Sequence, residues 1–294
     1  MIRMTFRLPL LGAALIALAS SLLPATAVAQ DANTLRSRHA ALKEKLANNH
    51  FGRPLALESM QTAGDLKGDV YAVVDHPFAA VQQSLQSPAN WCDILILHLN
   101  VKRCKVETGG KMLSVNVGRK FNQPLEDAYQ LDLAYKVMSS SPEYLQVKLT
   151  AEEGPLSTRD YRIVVETIAV DARRSLVHMS YAYGYGMAAR MAMQAYLSTV
   201  GRDKVGFTVL DHKPDGKVVY QGGVLGLLER NTMRYYLAID AYLSAHGLPP
   251  AEQVERRMRE WYASTERYAR QLHEMEQSEY LEMKRKEIQR QQAG

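Results

Sequence analysis

From residue 127 to residue 186 apolar and polar positions alternate through three successive segments. In Tyr129, Leu131, Leu133, Tyr135 and Val137, and again in Ile163, Val165 and Thr167, one parity is apolar while the other carries Asp132, Lys136, Arg162 and Glu166. A period of two marks strands with one buried face. The same rhythm predicts strands over residues 67–74, 101–106, 111–120, 129–138, 144–151, 161–170 and 175–185. Turn signals separate them at Gly109–Gly110, Ser139 to Pro142, Gly154–Pro155 and Asp171 to Arg174. Strands joined this closely pair as antiparallel neighbours.

Helical periods flank and cover this sheet. Residues 34–48 read as a short polar helix with Leu35, Leu42 and Leu46 on one side, an N-terminal appendage, and residues 51–68 as an ordered loop. Asp75, His76 and Pro77 stop the first strand and start a helix bearing Phe78, Val81 and Leu85. A second begins after Pro88 and carries Trp91, Ile94, Leu95 and Leu99. Residues 187–199 are rich in helix formers. Residues 204–210 return to alternation, and a turn at Pro214, Asp215 and Gly216 leads to Val218 and Tyr220. Gly222–Gly223 then opens the longest apolar helix, residues 224–245, whose Leu225, Leu228, Thr232, Tyr235, Ile239 and Tyr242 recur at three and four. That stripe is broad enough to lie across a sheet. Residues 251–292 read as one long charged helix with a thin seam of Val254, Met258, Trp261, Tyr268, Leu272 and Met275. The seam suits packing back on the domain or pairing with a protein partner, and a solvated tail is the competing reading.

Residues 1–30 change the compartment rather than the fold. Arg3 and Arg7, an apolar run and the small residues Ala25, Ala27 and Ala29 have the three parts of a cleaved signal peptide, with a single membrane anchor as the competing reading; cleavage places the mature chain in the periplasm or, alternatively, outside the cell. The remaining chain of about 265 residues can build one good-sized core with appendages, or two small domains. It holds 34 basic against 31 acidic residues, a balance that calls for no nucleic acid or other polyanionic partner. Cys92 and Cys104 are the only cysteines. In an oxidising compartment they form a candidate disulfide, with two buried free thiols as the alternative, and they fall short of a structural zinc site.

A strand, two short helices, an antiparallel run of strands and a long helix laid across them is the element order of the helix-grip fold. The pattern VVDHPFAAVQQSLQSPANW at the start and EGPLSTRDY at residues 153–161 add to it, the latter being similar to a turn of START domains. The chain therefore resembles the START-like, or SRPBCC, superfamily of lipid-binding domains over residues 67–246. The resemblance implies an α+β fold, an antiparallel sheet of about six to eight strands wrapped on a long C-terminal helix. Residues 31–66 form a helix and loop before that domain and residues 247–294 a charged helix after it. The resemblance also implies a cavity between sheet and helix that holds a hydrophobic molecule, without naming it.

The chemistry carried by the strands decides between binding and catalysis. The apolar parity, taken as inward, holds no His, Asp or Glu; His178 falls on the opposite parity, where an exposed strand residue is the expected role. HExxH, CxxC, GxSxG, GxGxxG and phosphate-loop patterns are absent, so no cofactor or metal is called for. The inward face offers aliphatic surface and phenolic hydroxyls, which suits an apolar ligand with one or two polar atoms. Tyr135, Tyr181, Tyr183, Tyr235 and Tyr242 are the candidate ligand-binding residues. Trp91 joins them, with a packing anchor for the second helix as its competing role. Met187, Met191 and Met193 suit a core helix, a lid or a transient membrane contact. Arg159 and Asp160 are an expected structural ion pair. The leading reading is binding or carriage of a lipid-like molecule. A cyclase, dehydratase or hydrolase acting on such a molecule, and an assembly factor working through residues 251–292, are the alternatives.

Overall fold

The computed structural model describes residues 31–199 and 201–293. The predicted signal peptide lies outside the described residues. Eight antiparallel strands form one sheet: β1 (Leu55–Gln61), β2 (Asp65–Val74), β3 (Val101–Val106), β4 (Met112–Val117), β5 (Tyr129–Ser140), β6 (Leu145–Glu153), β7 (Thr158–Ala169) and β8 (Ser175–Tyr185). Their order is β1-β2-β8-β7-β6-β5-β4-β3, so every neighbour follows in sequence except where β2 meets β8. Helices α1 (Ala32–Ala41), α2 (Lys43–Ala47), α3 (Phe78–Leu85), α4 (Pro88–Leu95), α5 (Met187–Ser198) and α6 (Gly223–Ser244) follow the predicted positions closely. The architecture is the α+β helix-grip fold: the sheet curls around α6, which packs on β1, β2 and β8.

The register of α6 on the sheet is set by a missing side chain. A Cβ on Gly68 of β2 would lie 2.3 Å from Thr232 Oγ1, so only glycine lets the helix approach this closely. Thr232 Oγ1 meanwhile donates to Leu228 O at 2.9 Å, which satisfies the buried hydroxyl within its own helix.

Three elements differ from expectation. Residues 55–61 form a strand where a loop was predicted. β1 is an edge strand packed only along part of its length, and LALESMQ therefore lacks the two-residue alternation. Residues 204–208 are not strand, and the short ribbon of β9 (Val209–His212) and β10 (Val218–Tyr220) stays separate from the main sheet. Here the buried Glu229 carboxylate takes the backbone N–H groups of Phe207 (2.6 Å) and Thr208 (3.0 Å), and a carboxylate thus holds donors that a ladder would use. The single charged helix expected over 251–292 is instead three helices, α7 (Pro250–Glu266), α8 (Ala269–Leu272) and α9 (Gln277–Gln292).

Those three helices fold back on the domain. Met258, Trp261, Leu272, Tyr280, Leu281, Met283 and Ile288 are buried in the main core, so the apolar seam is occupied within the chain. α9 lies along the edge strand β3. Gln291 Oε1 accepts the Cys104 N–H at 2.8 Å, and Tyr280 donates to Leu97 O at 3.0 Å. Lys102 and Lys284 share Glu287 at 2.9 and 2.6 Å. A sheet edge that would otherwise present free backbone donors is covered. Cys92 of α4 and Cys104 of β3 form a disulfide, with Cα atoms 5.1 Å apart and a separation of 12 positions in sequence. A loop of that size stabilises by roughly 2–3 kcal/mol through the unfolded chain.

The N-terminal helices are more than an appendage. Leu35, Leu42 and Leu46 pack with Ala56, Tyr71, Tyr144, Ile168 and Leu176 in a second core on the outer face of the sheet. This cover buries His178, correcting its expected exposure. His178 Nδ1 lies 2.7 Å from Glu166 and Nε2 2.9 Å from Asp69. Its ring stacks on Tyr71 at 4.2 Å, while Tyr144 donates to the second oxygen of Glu166.

Candidate functional site

Between the sheet and α6 lies a cavity of about 230 Å³. Its walls come from inward-facing side chains of β4, β5, β7 and β8, from α6 through Leu227, Asn231 and Tyr235, and from the α4–β3 connection through His98 and Asn100. Ala189 and Met193 of α5 close one side, and Pro155 and Leu156 of the β6–β7 turn close another. The alternation of β5 and β8 places these side chains inward, and the i, i+4, i+8 spacing of Leu227, Asn231 and Tyr235 puts all three on one face of α6.

Polar groups in the wall form a connected aromatic row. His98 stacks on Tyr235 at 4.5 Å between centroids, Tyr235 meets Tyr181 at 5.1 Å, Tyr181 meets Tyr183 at 5.5 Å, and Tyr183 stacks on Tyr161 at 5.3 Å. Burial raises the pKa of Tyr181, Tyr183, Tyr235 and Tyr161 above the usual phenol value, so all four are neutral donors near pH 7. Tyr161 is engaged with Thr158 Oγ1 at 2.8 Å. The hydroxyls of Tyr181, Tyr183 and Tyr235 have no hydrogen-bond partner among the described residues and face the cavity.

His98 is fully buried. Desolvation, reinforced by Arg234 and by Lys284, Lys120 and Lys102, holds its pKa well below the usual 6.5, so the ring is neutral. Its Nδ1 accepts the Asn100 N–H at 3.1 Å, which leaves the proton on Nε2. Nε2 has no partner. The ring is thus a hydrogen-bond donor in this tautomer, and its one lone pair is already in use.

The sequence-predicted residues divide cleanly. Tyr181, Tyr183 and Tyr235 line the cavity together. Tyr135 does not: it faces a shallow depression beside Lys111 and Val137, its hydroxyl is buried without a partner, and burial pushes its pKa up to about 12. Tyr242 lies under the Arg257 guanidinium, 4.0 Å from the ring centroid, and seats α7. Trp91 is a packing anchor whose Nε1 donates to Leu85 O at 2.7 Å. His98, Tyr161 and Asn231 were missed. A lone histidine inside the apolar run ILILHLNV was the available signal for His98, and parity with Ile163 was the signal for Tyr161.

The mouth is formed by the turn EGPLSTRDY and α5. Leu156, Ser157 and Asp160 adopt left-handed backbone conformations at φ 58°, 61° and 53°, an arrangement that costs energy in residues with a Cβ. Arg159 Nε lies 3.4 Å from Asp160 at the surface, as an ion pair. Leu156, Met187 and Met191 are exposed, with 66%, 70% and 63% of their surface accessible. Among the described residues no group of three or more His, Cys, Asp or Glu side chains is arranged so that it could hold a metal ion.

The sequence matches no family model and no curated protein. Among solved structures it is similar to a conserved protein from Geobacillus kaustophilus at 12% identity, with 60% of this chain and 95% of that one covered and a TM-score of 0.35. A START superfamily protein from Mycobacterium smegmatis aligns at 8% identity over 48% of this chain and 93% of its own, at a TM-score of 0.30. The Zhui aromatase/cyclase from Streptomyces sp. R1128 aligns at 8% identity over 70% of this chain and 94% of its own, also at 0.30. The fold assignment rests on the strand order and the position of α6 described above.

Proposed function

We propose that this protein binds a hydrophobic small molecule of lipid type in the cavity between sheet and α6, and that it does so in the periplasm. One observation carries the reading. An apolar hollow holds four donors, the hydroxyls of Tyr181, Tyr183 and Tyr235 and Nε2–H of His98, that have no hydrogen-bond partner among the described residues. Buried polar groups are normally satisfied, and donors left open toward an apolar space are matched by a ligand bearing one or two acceptors. The volume falls below the roughly 300–1,000 Å³ of typical small-molecule sites, which favours a compact ligand.

Apart from the tyrosines, His98 is the titratable side chain that lines the cavity among the described residues, and it gives the enzyme alternative its candidate base. Its tautomer speaks against that role, because a base needs a free lone pair and Nδ1 is committed to Asn100. The assembly reading loses its free helix seam, since that seam is buried in the chain's own core.

Titration with the neutral apolar fluorophore N-phenyl-1-naphthylamine tests the reading. Saturable binding is expected, weakened at least tenfold in Leu133→Trp, which fills the hollow. Where the space is real, the larger ring enters at little cost, and the unfolding midpoint moves by less than the roughly 1–3 kcal/mol of an overpacked core. Equal binding to both proteins overturns the proposal.

A further inference from the structure

α6 carries two arginines one turn apart, Arg230 and Arg234, both with no exposed surface. Arg234 is well served: its Nη2 donates to Glu274 at 2.7 Å and to Leu272 O at 3.2 Å. The same Glu274 carboxylate takes Lys120 at 2.6 Å and Lys204 at 3.5 Å. One negative charge therefore answers three cations. Arg230 is left without a direct ion pair: among the described residues its Nε, Nη1 and Nη2 make no full hydrogen bond, and its cation is favoured only by the nearby Tyr196 phenol and the already shared Glu274 charge. Burial lowers its pKa, with Tyr196 and Glu274 opposing, yet a guanidinium stays charged. An unpaired buried charge is among the costliest features a fold can retain.

Its surroundings suit an incoming anion. Arg230 directly precedes Asn231 and follows Leu227 by three positions, and both of those line the tyrosine cavity. Beside it lies Tyr196 of α5, whose hydroxyl is near enough to favour the Arg230 cation but completes no hydrogen bond of full geometry among the described residues. Tyr196 and Lys120 in turn line a second hollow of about 950 Å³, and Asn100 borders both hollows. Along α5, Ala189 is the fully buried residue, so this helix is the element that can yield to admit a ligand.

We propose that Arg230, Tyr196 and Lys120 form a seat for an oxyanion, the carboxylate or phosphate head of an amphiphile whose apolar body occupies the tyrosine-lined cavity. This rests on the binding reading above and specifies its ligand class. A guanidinium presents paired N–H groups to two oxygens of such a head, the phenol donates a third bond, and the ammonium adds charge.

Calorimetric titration of the mature chain at pH 7 with decanoate, decanol and inorganic phosphate tests the proposal. Decanoate is expected to bind about tenfold or more tightly than decanol, the worth of a charge-assisted hydrogen bond. Arg230→Gln should abolish that preference while leaving decanol binding unchanged, and Arg230→Lys should keep most of it. Arg230→Gln should also raise the unfolding midpoint, because it removes an unpaired buried charge; a lowered midpoint identifies Arg230 as a structural anchor and overturns the proposal. Equal binding of decanoate and decanol overturns the seat while leaving the apolar cavity intact. Arg230-dependent binding of phosphate without a decanoate preference overturns the amphiphile and assigns the seat to a free anion. Failure of decanol, decanoate and phosphate alike overturns both readings.

Discussion

Glu274→Gln should lower the unfolding free energy by about 3–5 kcal/mol, the usual cost of leaving a buried ion pair with one partner. The isosteric amide keeps the volume and removes the charge, so the loss reports electrostatics rather than packing. Burial works against the Glu274 charge, but Arg234, Lys120 and Lys204 outweigh it and hold the carboxyl below its usual range. Without it, Arg234 is buried beside the already unpaired Arg230, and Lys120, whose pKa burial and Arg234 bring down to about 8, loses its counter-charge. The group's folded pKa is depressed, so its contribution is present above pH 4.5 and disappears as pH falls through the folded value. Urea denaturation at pH 7 measures the loss. Glu282→Gln, on an exposed face of α9, should leave the curve in place, and equal behaviour of the two variants would refute the account of this cluster.

On the outer face, His178→Ala should cost about 3 kcal/mol at pH 6, because it removes the cation between Asp69 and Glu166 beneath α1 and α2 and leaves Asp69 only Lys67 and Glu166 only Tyr144 and Gln146. Burial opposes charge on His178. The hydrogen bonds from its two ring nitrogens to Asp69 and Glu166 prevail and raise its pKa above 6.5. A raised pKa contributes stability that is complete below the unfolded value of 6.5 and is lost as pH rises through the folded value. The gap between wild type and variant should therefore narrow on the alkaline side of neutrality. Urea midpoints between pH 5.5 and 9 read it directly, and a gap that stays constant across that range would sink the imidazolium assignment.

Where one face of an element is dry and the other wet, the chain announces it. β5 and β7 alternate because α6 and the core lie on one side, and the stripe on α6 follows from the same cause. The signal fades where tertiary contacts overrule it. β1 is an edge with a mixed burial pattern. The break after α7 contains neither Gly nor Pro; it is held by Tyr268, which donates to Phe51 O at 3.0 Å, 217 residues away in sequence. α9 starts with Glu276 and Glu279 forming a capping box in which glutamate stands where serine or threonine would be looked for.

The site was legible to the same extent. Parity found Tyr181 and Tyr183, and helical spacing found Tyr235, because cavity walls obey the periods that cores obey. Parity could not separate Tyr135 and Tyr242 from them, since a tyrosine that fills the core and one that faces a hollow occupy equivalent positions. His98 belongs to a connection without a period. His178 was read as exposed because nothing in the strand itself says that the polar helix predicted at the start of the chain will lie over it. Arg230 is the hardest case: it sits among residues that read as the polar side of an amphipathic helix, and it has no exposed surface once α5, α7 and α8 pack on α6.

The most direct test of the central claim is native mass spectrometry of the chain produced with its N-terminal segment in an exporting bacterium. The account predicts a non-covalent adduct of a compact hydrophobic molecule that is released on unfolding and is missing from Leu133→Trp. A protein that flies at its bare mass, and gains no adduct when incubated with lipid extract, would contradict it.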